Sequence, residues 1–151
     1  MNEYKGLLLS ILGLTGGFIA TLLGGWDTAL QTLIIFMTVD YISGVLVAGV
    51  FKKSKKSKSG TLSSGVGFKG IVKKVMGLVL VLIACRLDLL LGITFCRDSV
   101  IIALVSNEVL SIIENAGLMG VPVPEAIKKA IEMLNSKNKN KNNDEEDNKN
   151  E

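Results

Sequence analysis

The sequence predicts an all-α integral membrane protein, with four (alternatively three) transmembrane helices arranged as hairpins and a short amphipathic helix behind them. Three observations carry this. From Gly6 to Trp26 there are 21 residues without a charge, about 31 Å of helix at ~1.5 Å per residue, which matches a bilayer core. Thr28 to Phe51 adds 24 residues broken only by Asp40. Both segments are apolar nearly all round, where a soluble helix would show a polar face. The third observation is a block of lysines directly after the second segment, the usual mark of a cytoplasmic loop. Composition agrees, with 48% hydrophobic residues, no His and a mean hydropathy of +0.44.

The first span is taken at about residues 6–26. Glu3 beside Lys5 and the absence of an A-x-A site behind the apolar run favour a retained anchor over a cleaved signal peptide. Its small residues fall in rows: Gly13, Gly17, Thr21 and Gly25 at successive i+4 positions, with Gly16, Ala20 and Gly24 beside them. Such rows form a groove that another helix backbone can approach closely, so this face is expected to drive self-association.

The second span, about 28–51, sets Asp40 in line with Gly44 and Ala48 at the same i+4 spacing. An aspartate at the centre of a membrane helix costs roughly 2.5 to 3.5 kcal/mol to insert. Asp40 is therefore expected in a helix interface or against an aqueous lumen. Gly44 and Ala48 join the first-span residues as expected packing and oligomerisation positions.

A basic loop, 52–74, follows. Lys52, Lys53, Lys55, Lys56, Lys58, Lys69, Lys73 and Lys74 stand there without one acid, which suits a loop held against anionic lipid at about 1 kcal/mol per lysine. Lysine runs also bind phosphate, but no Arg and a single aromatic, Phe68, stand among them, so no nucleic-acid partner is expected.

Apolar character returns at 75–96, interrupted by Arg86 and Asp88, and at 99–119, interrupted by Asn107, Glu108 and Glu114. Arg97 and Asp98 mark a polar turn between them. If both segments cross, Lys5, the lysine loop and the C-terminus share one side, which the positive-inside rule makes cytoplasmic. With three spans the C-terminal side flips. Asp40, Arg86, Asp88, Glu108 and Glu114 are the candidate intramembrane polar or gating groups. The membrane region ends at about 121. Pro122 and Pro124 close it, and 122–134 reads as an amphipathic helix with Ala126, Ile127, Ala130, Ile131 and Leu134 on one face. From Asn135 to Glu151 nothing is apolar enough to bury, so a disordered tail is expected.

Enzymatic chemistry would need a nucleophile with its base, a metal cluster or a phosphate cradle. Each acid in the membrane segments stands alone on its helix. Cys85 and Cys96 match no metal spacing, and Gly65 to Gly70 (GVGFKG) lacks the preceding strand and following hydroxyl of a phosphate loop. No enzyme, metal or cofactor is expected.

Three stretches carry a family resemblance: VDYISG from Val39 to Gly44, SSGVGFKGIVKK from Ser63 to Lys74, and SNEVLSIIENAGLMGVPVP from Ser106 to Pro124. In the last, Asn107, Glu108, Ser111, Glu114, Asn115, Gly117, Gly120, Pro122 and Pro124 match the pattern. Over nearly its whole length the chain resembles the phage-lysis and toxin-secretion holins of Gram-positive bacteria and their phages. The resemblance implies a multi-pass protein of the bacterial cytoplasmic membrane. It would accumulate there, form homo-oligomers and open lesions that release an endolysin or a large toxin. After Met1 the next methionine is Met37, inside the second span, so any antiholin is expected to be a separate chain. The rival readings are a small ion channel or transporter subunit lined by Asp40, Arg86, Asp88 and Glu108, and a membrane scaffold working through 125–134.

Overall fold

The computed structural model describes residues 2–57, 59–127, 129 and 133. These form four long helices, α1 (Asn2–Leu22), α2 (Thr28–Gly49), α3 (Ser64–Leu91) and α4 (Cys96–Leu118), with no strand among the described residues. Three of them are long and apolar enough to cross a membrane: α1 from Tyr4, α2 and α4. The longest, α3, is excluded from that group by its charges. Lys69, Lys73 and Lys74 lie in its first half and Arg86 and Asp88 in its second.

Each helix stops or starts for a local reason. α1 ends at Leu22, short of Trp26, because Gly24 and Gly25 take φ of +93° and +107°, a region that L residues with a Cβ avoid. Gly24 and Gly25 therefore lie in a turn, and the expected small-residue rows end at Ala20 and Thr21. Asp27 starts α2 as its N-cap, with its carboxylate accepting from the Leu30 N–H at 2.9 Å. Gly92, in the left-handed region, closes α3 and donates its N–H to the Asp88 carbonyl. α3 begins at Ser64, well ahead of the expected Val75, so Lys69, Lys73 and Lys74 stand on a helix and not in the loop. The apolar residues of that first half, with only Ser, Gly and Lys between them, carry the helix forward.

α4 packs between α2 and α3, which themselves touch only sparsely. The central core joins Leu30, Leu33 and Met37 of α2 to Val81 of α3 and Ile101 of α4, with Leu23 closing one end. Through the middle of each helix, inward positions recur at alternating steps of three and four: 30, 33, 37 and 40 on α2; 74, 77, 81, 84 and 88 on α3; 97, 101, 104, 108, 111 and 115 on α4, with Ser43, Val47, Ala48, Cys85 and Ser106 buried beside or beyond these rows. That is a heptad-like spacing of packed helices. Gly77 is the narrow point, since a Cβ there would meet Met37 Cε at 3.1 Å and Leu104 at 3.5 Å.

Face-to-face packing leaves α1 out. None of its membrane-length window is buried, and Gly13, Gly16 and Gly17 have open space where a Cβ would project. Beyond α4, Gly120 turns with φ +84° and Glu125 to Ile127 are helical. Of the expected amphipathic helix, residue 128 and most of 130–134 lie outside the described residues, as does the expected tail, 135–151.

Candidate functional site

On α2 the inward stripe is apolar at Leu30, Leu33 and Met37 and becomes charged at Asp40. The partner comes from α3. Lys74 Nζ donates to Asp40 Oδ2 at 2.8 Å and, on its other side, to Glu108 Oε2 of α4 at 2.5 Å. Asn115 of α4 adds a second tie, its Nδ2 donating to Ser43 Oγ at 2.8 Å and to Asp40 Oδ1 at 3.3 Å. Gly44 lies beside that amide, whose nitrogen would be in ordinary contact, at 3.8 Å, with a Cβ placed there. Three helices thus meet at one polar layer. The side chains of Asp40, Glu108 and Lys74 are 9, 13 and 17% exposed, so each charge has lost most of its water and depends on the others for compensation. Among the described residues no buried side-chain nitrogen or oxygen lacks a hydrogen-bond partner.

A second polar layer closes the opposite end. Asp88 of α3 accepts the backbone N–H groups of Cys96 and Arg97, both at 2.9 Å, and so caps α4 from a neighbouring helix. Arg97 reaches back across the α1–α2 turn. Its Nε donates to the Leu23 carbonyl at 2.6 Å, and its terminal nitrogens clasp both Asp27 oxygens at 2.7 and 3.1 Å. Asp98 adds a longer contact at 3.2 Å. The hydrogen-bonded Arg97 guanidinium holds the Asp27 carboxyl below the usual carboxylate range, although burial acts the other way.

Of the intramembrane groups picked from the sequence, the structure brings Asp40 and Glu108 together. Asp88 serves α4's first turn, while Arg86 and Glu114 are exposed and outside the network. Asp40 and Glu108 find their partner on a different helix, since Lys74 of α3 reaches both. Gly44 and Ala48 pack inward against this chain's own helices. Lys52, Lys53, Lys55, Lys56, Lys69 and Lys73 are exposed, and Lys58 lies outside the described residues. In the Ser106–Pro124 stretch, Ser111 and Asn115 share the inward face with Glu108, whereas Asn107, Gly117 and Gly120 point away from it or end the helix.

Sequence reasoning missed the role of Lys74, which belongs by composition to the lysine block, and that of Arg97, which looks like a turn marker. The available signal was the seven-residue repeat. Lys74 precedes Val81 and Asp88 by seven and fourteen, and Arg97 precedes Leu104 and Ser111 in the same way.

The model of the bacteriophage holin family matches residues 17–136. An uncharacterized protein of Listeria innocua is 42% identical over 87% of this chain and 88% of its own length. One from Clostridium perfringens is 37% identical over 89% and 97%. A protein of Bacillus phage phi105, named as a probable holin, is 26% identical over 74% of this chain and 78% of its own. No solved structure matches the chain.

Proposed function

Because the chain belongs to the bacteriophage holin family, we propose that it inserts as a multi-pass protein in the bacterial cytoplasmic membrane and assembles with its own copies into lesions. A protein too large for an ion pathway, an endolysin or a secreted toxin, would then leave the cytoplasm. The observation that carries this reading is α1. It is an apolar helix of membrane length with none of its window buried and a face of small residues open along Gly13, Gly17 and Thr21. A helix that contributes nothing to its own core has lipid or another copy as its remaining neighbours, and small residues favour the second.

The topology that goes with this reading has α3 crossing as the fourth span and both termini in the cytoplasm. Lys74 neutralised by two carboxylates lowers the cost that keeps α3 out of the apolar class. The lysine loop and the C-terminal end of α4 would then lie on the cytoplasmic side, and the Arg97 layer on the outer side. No catalytic, metal or cofactor role enters the reading. Any antiholin acts as a separate partner.

Induced expression tests the function. Growth should stop abruptly after a delay, with release of a co-expressed cytoplasmic endolysin; depolarisation without protein release would mean an ion channel instead. Cysteine accessibility tests the topology. Positions 28 and 99 should label from outside and position 57 should not, and outside labelling at 136 would remove the even number of spans.

A further inference from the structure

Beside the Asp40 layer, a cleft opens between the C-terminal half of α2 and the N-terminal half of α3. Ser54 to Lys56 and Thr61 to Ser63 of the connecting loop line it on one side, and Leu118 lines it at the end of α4. It encloses about 100 Å³ and is open on one side. Its chemistry is layered. Val45, Ala48, Val66 and Leu118 form an apolar wall, while Lys55 and Lys56 stand at the mouth with the hydroxyl residues Ser54, Thr61 and Ser63. Both lysines are exposed, and among the described residues neither has a carboxylate within ion-pair distance. At the floor, Lys74 is already engaged by Asp40 and Glu108. Glu114 also lines the cleft, but it is exposed, so water and salt weaken its repulsion of an anion.

We propose that this cleft is a site for one anionic glycerophospholipid, with its phosphate between Lys55, Lys56 and the rim hydroxyls and its first acyl carbons against the apolar wall. The inference rests on the membrane reading above, which puts the lysine-rich end of α2 at the bilayer surface. There a headgroup lies level with the mouth and its chains level with the wall. A soluble phosphate compound would satisfy the rim and leave the wall wet. A built cleft differs from general attraction of a basic loop to a charged leaflet, because only some of the lysines belong to it. Lys52 and Lys53 carry the same charge in the same loop and do not line it.

The test uses the full chain in detergent micelles doped with phosphatidylglycerol or phosphatidylcholine, with retained lipid counted by native mass spectrometry. One phosphatidylglycerol should be kept per chain, and phosphatidylcholine should not. K55Q/K56Q should weaken retention about tenfold or more, since two lysines near the headgroup are lost. K52Q/K53Q should change it less than about twofold, because a screened charge outside the site contributes little. V66W, which fills the cleft without altering charge, should also release the lipid. Equal losses for the two double variants, or full retention in V66W, would overturn the site and leave only surface attraction. Failure of retention in a chain that still inserts and still releases cytoplasmic protein overturns the site alone. A chain that washes off membranes overturns the reading beneath it.

Discussion

The Lys74 ammonium stands 2.8 Å from the Asp40 carboxylate, across an interface where α2 and α3 otherwise touch sparsely. Each helix packs mainly on α4, and among the described residues this ion pair is the side-chain hydrogen bond that joins α2 directly to α3, beside the apolar contact of Met37 with Gly77. Removing the cation leaves two carboxylates buried together. Lys74→Met should therefore destabilise the folded chain by about 3–5 kcal/mol, the usual cost of stranding a buried charge. Replacing all three charges at once, with Asp40→Leu, Lys74→Met and Glu108→Met, should recover most of that loss. Denaturation in mixed micelles reads both outcomes, and a triple variant no better than the single would show that the charges were not the cause.

Asp40→Asn separates charge from shape. The amide still accepts from Lys74 or Asn115, and Lys74 keeps Glu108, so membrane levels should stay normal. If ionised Asp40 stabilises the assembled lesion once water reaches it, release should be late or absent in this variant. Lysis on the wild-type schedule would reduce Asp40 to a packing residue.

At the other end the expected pH dependence has a definite sign. Asp27 is held below the ordinary carboxylate range by Arg97, so its stabilising effect is fully present above the unfolded value of about 3.9. It is lost only as pH falls through the lowered folded value. Protection from hydrogen exchange in the 23–27 turn, relative to the intrinsic rate at each pH, should hold from neutral pH to about 5 and fall under stronger acid. Asp27→Asn should abolish that response.

Gly24→Ala tests the same clasp by steric means. A Cβ there would lie 2.5 Å from Arg97 Nε at a backbone φ of +93°, so both the guanidinium and the turn must move. A loss of about 1–3 kcal/mol follows, read as faster exchange confined to this end of the bundle.

Gly17→Leu makes the opposite demand. Nothing lies within 4 Å of where its Cβ would project, and the surrounding helix face is exposed, so the monomer should fold and insert normally, while crosslinked oligomers fall and release is delayed. Unchanged crosslinking would remove α1's small-residue face from assembly.

Much of this fold is legible in the sequence because uncharged length is a strong signal: α1 and α2 stand out by it, and α4 follows by its mean hydropathy. Which faces turn inward is harder to read. When Leu, Ile and Val cover a helix all round, the 3.6-residue alternation that marks a buried side in water disappears, because lipid accepts the outer side as readily. The polar residues then carry the orientation, and they are few. Asp40 was legible as a residue needing a partner. Lys74 is hard to single out as that partner, because seven other lysines share its block and only its seven-residue spacing to Val81 and Asp88 sets it apart. Glu108 and Asn115 sit seven apart on one face of α4, yet the spacing means something only beside the matching stripes on α2 and α3. The α1 boundary slipped for a simpler reason: glycine fits a membrane helix and a left-handed turn equally well in composition, and only φ separates them.

The isolation of α1 has an evolutionary consequence. A residue in the three-helix core is tied to several neighbours, so most replacements there tax folding before they alter behaviour. Along α1, from Leu7 to Phe18, a replacement that stays apolar disturbs no internal neighbour. On the proposed reading, in which copies meet through this helix, mutation would vary how strongly they adhere, and hence when they gather, while the rest of the molecule is unaffected. The timing of assembly would then be a trait that selection tunes in small steps on one surface, independently of whether the protein folds.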